Sequence, residues 1–281
     1  MLWNLRWVNI AMLFSASLVL VTGGCTVSAY DVNTRYTEQA RTDQGLVVIL
    51  PGIEGESSAN RDIREGLYKA GIPYGLVIYR WGSSVPGPAG MLINQTDVAR
   101  NRRSAKEIAE KIAQYQQKHP AKPVFLIGHS AGGGIAVFAM ESLGQSQGAR
   151  PVEGAFLLSS SISSDYDLSS ALAMTRRGLV NVSNIEDKLL DTGTSTFGNV
   201  DGKKGASAGR TGFQRSNPKV FERPITNEQV RREFGSAGGA HFIATKEQLI
   251  EKYAPAWIMS ESWPPARPGA RQQDVHTAKS T

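Results

Sequence analysis

The sequence predicts an α/β fold in which a doubly wound, mostly parallel sheet is covered by helices on both faces. Continuous apolar runs, such as Gly45–Leu50 and Gly154–Ser159, are typical of strands that are buried on both faces. Amphipathic helical segments alternate with these runs, which favours parallel strands joined by right-handed crossovers. The chain has 281 residues, enough to bury one sizeable core. In such a sheet, ligands bind beyond the carboxyl ends of the strands.

Strands and helices alternate along the chain, and turn-forming residues separate them. Apolar residues spaced by three and four indicate the helices, and Gly71 and His119-Pro120 end the first two. The predicted strands are 45–50, 74–81, 124–127, 154–159 and 179–183; the predicted helices are 60–70, 97–118, one that ends near 143, 165–177 and 246–253; and loops are predicted at 83–90 and 201–212.

The first 24 residues have the features of an export signal. A start that carries Arg6 precedes an apolar stretch, Ile10–Val21, and small residues precede Cys25. This segment resembles a bacterial lipoprotein signal, which implies a lipidated Cys25 and an exported protein that is anchored to a membrane of the cell envelope. The alternatives are a cleaved soluble protein and an uncleaved anchor, although the apolar stretch is short of the roughly 20 residues that span a bilayer.

Around the predicted domain at 45–260, we expect a polar tether at 25–44 and a disordered tail at 261–281.

The formal net charge is +6, and the basic residues form isolated pairs without interleaved aromatic residues, a pattern that favours a solvated surface over a nucleic-acid site. Because Cys25 is the only cysteine, no intramolecular disulfide can form.

Gly128-His129-Ser130-Ala131-Gly132 follows the apolar run 124–127 and precedes an apolar helix. This pattern, in a strand–turn–helix context, is typical of a nucleophile elbow. The turn strains the serine backbone, and we expect Gly128 and Gly132 to avoid clashes with the adjoining strand and helix. Ser130 is therefore the predicted nucleophile. The alternative is a glycine-rich junction with a passive serine.

A serine hydroxyl needs a base, and the chain offers four histidines. In an elbow the side chain of His129 points away from the nucleophile and supports the loop. His119 closes a helix, and His276 lies in the tail. His241 lies in a loop of small residues before the last helix, and it is the predicted base. The alternative is a lone surface histidine.

The base needs a carboxylate that holds its tautomer. The elbow and the later histidine resemble those of α/β-hydrolases, and this resemblance implies an acid between the serine and the histidine, just after a strand. Asp187 follows the strand at 179–183 and is the predicted acid. The other interpretation of Asp187 is an N-cap for the following turn. The alternative acids, in decreasing order, are Glu186, then Asp165 or Asp167, then Asp191 and Asp201.

The tetrahedral intermediate needs two backbone N–H donors. We expect one from Ala131, directly after the nucleophile, and one from Ile53, in the loop after the first strand. Glu54 and Glu56 would oppose the developing negative charge, so we expect them to point outward and to cap the following helix.

Residues 45–260 resemble the α/β-hydrolase superfamily. The resemblance rests on Leu-Pro-Gly-Ile-Glu-Gly, Gly-His-Ser-Ala-Gly-Gly, the Asp187 region and Gly-Gly-Ala-His-Phe. It implies a serine esterase or lipase that cleaves small-molecule or lipid esters through an acyl-enzyme, with no metal or organic cofactor. Acyl transfer, amide cleavage, thioester cleavage and a catalytically inactive binding protein are the alternatives. One fold hosts many functions, so the substrate class must come from the site.

The sequence predicts a small cap or none. Residues 165–179 follow a strand where this fold often inserts a cap, and their apolar residues can either line an acyl pocket or pack onto the sheet. These apolar residues are Leu168, Ala171, Leu172 and Met174.

Overall fold

The computed structural model describes residues 34–236 and 238–265. Six parallel strands form one sheet, in the order β2-β1-β3-β4-β5-β6. The strands are β1 (Leu46–Leu50), β2 (Gly75–Ile78), β3 (Val124–His129), β4 (Gly154–Leu158), β5 (Leu179–Ser183) and β6 (Val220–Pro224). The predicted fold class is confirmed.

Helices of the described residues connect the strands and cover both faces of the sheet. They are α1 (Thr34–Thr37), α2 (Gln39–Thr42), α3 (Ser58–Lys69), α4 (Gly87–Thr96), α5 (Val98–Lys118), α6 (Ala131–Leu143), α7 (Ser169–Ala173), α8 (Lys188–Phe197), α9 (Ala208–Thr211), α10 (Asn227–Phe234), a 3-10 helix (Ala240–Thr245) and α11 (Glu247–Ile258).

The core lies in two layers because successive side chains of a strand point to opposite faces. On one face, Leu46 and Val48 pack with α5 and α6. On the other face, Val47 and Ile49 pack with α3 and α11. Burial on both faces explains why these strands lack polar alternation. Within the described ranges, no helix combines the length and apolar character needed to cross a bilayer.

Two domain boundaries differ from the predicted ones. Tyr36, within the predicted tether, is 6% exposed and packs into the layer beneath α3. Trp263, within the predicted tail, packs edge-on against Phe156 and Trp257. Packing against the sheet therefore extends on both sides of 45–260. The predicted signal segment, Cys25 and His276 lie outside the described residues.

Several elements also differ from the predicted ones. The helix predicted at 165–177 is confined to α7, because Asp167 caps a turn at Ser169 instead of continuing a helix toward its N-terminus. Leu168, Ala171 and Leu172 of this region are buried in the core, so this segment packs onto the sheet. The strand β6 and the helices α1, α2, α4, α8, α9 and α10 were not predicted, and α4 and α9 overlap the predicted loops at 83–90 and 201–212.

Candidate active site

Ser130 lies where the direction of the sheet connections reverses. The strands β1 and β3 are neighbours, but the chain continues from β1 to β2 on one side and from β3 to β4 on the other. The loops after β1 and β3 therefore diverge and leave a crevice at the carboxyl edge of the sheet. Ser130 follows β3 at this crevice and precedes α6.

The backbone of Ser130 is strained and held in place. Its φ is 54° and its ψ is −123°, a region that residues with a side chain rarely occupy. Its N–H donates to the carbonyl of Leu158 at 3.0 Å, and its carbonyl accepts from the N–H of Ser161 at 3.0 Å. These bonds to the neighbouring strand β4 and the segment that follows it fix the sharp turn that the sequence pattern predicts.

The two glycines of the motif are required by close backbone contacts. A Cβ atom at Gly128 would lie 2.2 Å from the carbonyl oxygen of Gly132. A Cβ atom at Gly132 would lie 2.1 Å from the carbonyl oxygen of Leu50. Neither distance is sterically possible, so a larger residue would push the first turn of α6 away from the loop after β1.

His241 and Asp187 meet behind the serine. The Nδ1 atom of His241 donates to Oδ2 of Asp187 at 2.7 Å. The carboxylate is fully buried and the imidazole side chain is 9% exposed. A carboxylate can only accept, so the proton of the neutral ring sits on Nδ1 and leaves Nε2 as an acceptor. This tautomer is the one a general base needs.

Asp187 serves both of its sequence interpretations at once. Its Oδ1 accepts from the N–H of Leu190 at 2.9 Å and so caps α8, while Oδ2 holds His241. The other candidate acids have partners elsewhere in the described structure. Glu186 accepts from the N–H of Asn227, Asp165 pairs with Lys203, Asp167 accepts from Ser169, Asp191 pairs with Arg210, and Asp201 accepts from Ser163.

Ser130 and His241 line the same cavity, which has a volume of about 490 Å³. No hydrogen bond joins the two side chains among the described contacts. Hydrogen bonds between a nucleophile and its base are often long in free enzymes and shorten when substrate binds. The arrangement therefore brings the serine and an imidazole that carries a free Nε2 acceptor to one concave surface.

The loop after β1 brings Ile53 to this cavity. A Cβ atom at Gly52 would lie 3.1 Å from Cβ of Ser130, so the loop backbone passes close to the serine. Among the described residues, the N–H groups of Ile53 and Ala131 donate no hydrogen bond. Both predicted oxyanion donors are thus without an acceptor among the described residues.

Two buried side chains outside this loop hold its carbonyl groups. Nε1 of Trp81 donates to the carbonyl of Pro51 at 2.8 Å. Nδ2 of Asn94 donates to the carbonyl of Ile53 at 2.7 Å, and its Oδ1 accepts from the N–H of Ser83 at 2.6 Å. These bonds fix the peptide planes on both sides of the Ile53 N–H group.

The expectation that the side chain of Glu54 points outward is wrong. Its carboxylate lines the cavity, accepts from the hydroxyl of Ser57 at 3.2 Å and lies 3.8 Å from Nδ1 of His129. Burial acts to raise the pKa of Glu54, but the contacts with His129 and Ser57 outweigh it and hold the pKa below its usual value. Glu56 does not line this cavity and pairs with Arg80 and Arg61.

His129 supports the histidine loop from beneath. It is fully buried, and its Nε2–H group donates to the carbonyl of His241 at 3.2 Å. Burial lowers the pKa of this imidazole, although Glu54 opposes the shift. His119 lies at the C-terminal end of α5, next to Asp43.

The cavity walls come from α4 and α8, which the sequence reasoning missed. Pro88, Met91, Leu92 and Gln95 on α4 and Leu189, Gly193 and Phe197 on α8 line it. Both sets follow helical spacing along one face. The sequence of α8 did carry a signal for this wall. Leu189, Gly193 and Phe197 recur every four residues and form a second stripe, next to the one with the buried Leu190 and Thr194. Within 34–236 and 238–265, no group of three or more His, Cys, Asp or Glu side chains could hold a metal ion.

Comparisons with known proteins support the fold. No protein-family model matches the chain, and no curated protein sequence is significantly similar to it. Lipase B from Aspergillus fumigatus is 11% identical with a TM-score of 0.51, over 87% of this chain and 58% of the lipase. An α/β serine hydrolase without a lid from Xanthomonas campestris is 14% identical, with a TM-score of 0.48 over 80% of this chain and 85% of the other. A dienelactone hydrolase from Anabaena variabilis is 15% identical, with a TM-score of 0.46 over 79% and 88%. At 11% identity the likeness to the lipase shows the fold alone.

Proposed function

We propose that this protein, which has the α/β-hydrolase fold, is a serine hydrolase that cleaves carboxylic esters. The observation that carries the proposal is the 2.7 Å bond from His241 to Asp187 behind a cavity that His241 shares with the strained Ser130. Unpartnered N–H groups at Ile53 and Ala131 complete a set of nucleophile, base, orienting acid and oxyanion donors.

In the first half-reaction, Oγ of Ser130 attacks the ester carbonyl carbon, and Nε2 of His241 accepts the hydroxyl proton. The N–H groups of Ile53 and Ala131 stabilise the negative oxygen of the tetrahedral intermediate. The intermediate collapses, the carbon–oxygen bond to the alcohol breaks, and the imidazolium returns its proton to the leaving alkoxide. Asp187 stabilises the imidazolium throughout and does not take up the proton.

In the second half-reaction, water replaces the alcohol. His241 removes a proton from the water as its oxygen attacks the acyl carbon, and the same N–H groups stabilise the second tetrahedral intermediate. Collapse of this intermediate returns the proton to Oγ of Ser130 and releases the carboxylic acid.

Hydrolysis of p-nitrophenyl acetate by the full chain and labelling by a fluorophosphonate probe test this proposal. We expect Ser130→Ala to abolish labelling and to lower kcat by at least about 10⁴-fold. A folded wild-type protein that neither hydrolyses the ester nor reacts with the probe would contradict the proposal.

Asp187→Asn tests the acid separately. Asparagine is also a good N-cap, so α8 keeps its cap while the imidazolium loses its stabilising charge. We expect kcat to fall roughly 10³–10⁴-fold with little change in melting temperature. Glu186→Gln is the matched control and should keep its activity. Loss of activity in Glu186→Gln with activity kept in Asp187→Asn would assign the role of the orienting acid to Glu186.

A further inference from the structure

The exposed apolar side chains of this protein are concentrated at one place. Nine large apolar residues are exposed in the described structure, and five of them line the cavity beside Ser130. These five are Met91, Leu92, Leu189, Phe197 and Phe242. Single exposed apolar residues are ordinary, but a contiguous group around a cavity indicates a surface that a ligand covers.

The charge of the cavity restricts what can bind there. Among the described residues that line it there is no Lys or Arg side chain, and the ionised Glu54 is the one carboxylate. An anionic substrate would meet a negative charge with no compensating cation. A small polar substrate would leave the apolar walls of α4 and α8 in contact with water, whereas an apolar chain would bury them.

A glycine of α8 faces open space in the cavity between the two helices. Gly193 lines the cavity from the middle of α8, and a Cβ atom there would have no described atom within 4 Å. A larger residue at this position would therefore extend into open space and would not clash with the core. The backbone of Gly193 is not in the left-handed region, so a side chain is tolerated.

We infer that the cavity between α4 and α8 binds an apolar chain of the ester substrate, of medium length or longer, so that the substrates are lipid-like esters. The inference rests on the proposed function, which supplies the ester bond that is cleaved at Ser130. The same apolar chemistry can belong to the acyl group or to the alcohol of the ester, and the experiment below distinguishes the two.

Two ester series test the inference on the full chain. The p-nitrophenyl esters from acetate to octanoate lengthen the acyl side, and the acetates from ethyl to octyl lengthen the alcohol side. Each buried methylene stabilises the bound substrate, so we expect kcat/KM to rise by roughly 100-fold from the shortest to the longest member of one series. The series that shows the rise identifies which side of the ester occupies the cavity.

Gly193→Trp tests whether this cavity causes the preference for long ester chains. The indole would fill the space between the helices, so we expect the preference for the long ester to fall at least about tenfold, relative to the shortest ester of the same series. Gln117→Trp places the same side chain at an exposed position of α5, near the opposite edge of the sheet, and should leave the chain-length profile unchanged.

The outcomes separate the inference from the proposed function. A preference for long chains that Gly193→Trp removes supports the inference. An active enzyme with a flat profile in both series overturns the inference and leaves the ester hydrolase standing. A Gly193→Trp variant that slows short and long esters equally also overturns the inference. No hydrolysis of any ester, together with no probe labelling, overturns the proposed function and the inference with it.

Discussion

Asn94 connects a wall of the cavity to the loop that carries Ile53. It lies on α4 and is 5% exposed. Its amide forms hydrogen bonds with two backbone groups, the carbonyl of Ile53 and the N–H of Ser83. It touches no reacting atom in the proposed mechanism, so we describe it as a positioning residue. Its effect on catalysis would come through the orientation of the Ile53 peptide.

Asn94→Leu should lower kcat for p-nitrophenyl acetate by about tenfold or more and change KM little. Direct loss of an oxyanion donor costs about 10²–10³ in kcat, and a misoriented donor should cost part of this. Gln116→Met is the matched control, because Gln116 is an equally buried amide that bonds backbone groups of Arg150. Both variants should lower the melting temperature. Equal losses of kcat in the two variants would contradict a positioning role for Asn94.

The buried imidazole of His129 makes the stability of the fold depend on pH. In the unfolded chain this group takes up a proton near pH 6.5, but in the folded protein burial lowers its pKa. Below pH 6.5, and down to the folded pKa, the unfolded state binds more protons than the folded state. The contribution of His129 to stability is therefore fully present above pH 6.5 and is lost as the pH falls toward the folded pKa.

We expect the free energy of unfolding to decrease between pH 7.5 and 5.5, measured by urea denaturation at several pH values. His129→Gln should decrease less steeply over this range, because the amide can donate to the carbonyl of His241 and does not titrate. Parallel pH curves for wild type and His129→Gln would disprove the role of His129.

At the scale of the elements, burial decides which strands the sequence could predict. The strands β1, β3 and β4 are covered on both faces and read as apolar runs. The strand β6 lies at the edge of the sheet, is half exposed, and has the sequence Val-Phe-Glu-Arg-Pro. Charged residues and proline protect an edge strand from pairing with other chains, and they also remove the pattern that predicts a strand.

The helices α4 and α8 escaped prediction for different reasons. The sequence that begins α4, Gly-Pro, is typical of a loop, yet proline in the first turn is compatible with a helix. The start of α8 was visible as an N-cap interpretation of Asp187, which was weighed against its role as the acid. In the structure Asp187 has both roles, because its carboxylate accepts from the N–H of Leu190 and from Nδ1 of His241. The motif residues of the site were inferred from the sequence, whereas the cavity walls were missed although Leu189, Gly193 and Phe197 follow helical spacing on α8.

At the scale of the whole molecule, Trp263 packs at the amino edge of the sheet, opposite the candidate active site. Its ring packs against Phe125 of β3 and Phe156 of β4, and its Nε1 donates to the carbonyl of Trp257 at 2.7 Å. A Cβ atom at Gly154 would lie 2.3 Å from this ring, so the glycine makes the space that the indole fills.

Trp263→Ala should lower the free energy of unfolding by about 3 kcal/mol, because it removes a large aromatic side chain from a packed cluster. KM for p-nitrophenyl acetate should stay unchanged, because the contact lies at the far edge of the sheet. Met259→Ala is the matched control, at a side chain that is 53% exposed, and should change stability by less than about 0.5 kcal/mol. Urea denaturation measures both, and equal stability of wild type and Trp263→Ala would contradict the packing argument.

The position of Trp263 also has a consequence for the order of events during synthesis. Its partners on β3 and β4 are translated well before it, and so are the strands that frame the serine. Contacts between residues so far apart in sequence form slowly, because a long loop must close before they can be made. The sheet can therefore reach its final packing only after the last part of the domain has left the ribosome. Until then the amino edge of the sheet lacks its aromatic cover, and the nascent chain exposes apolar surface to chaperones and to other chains.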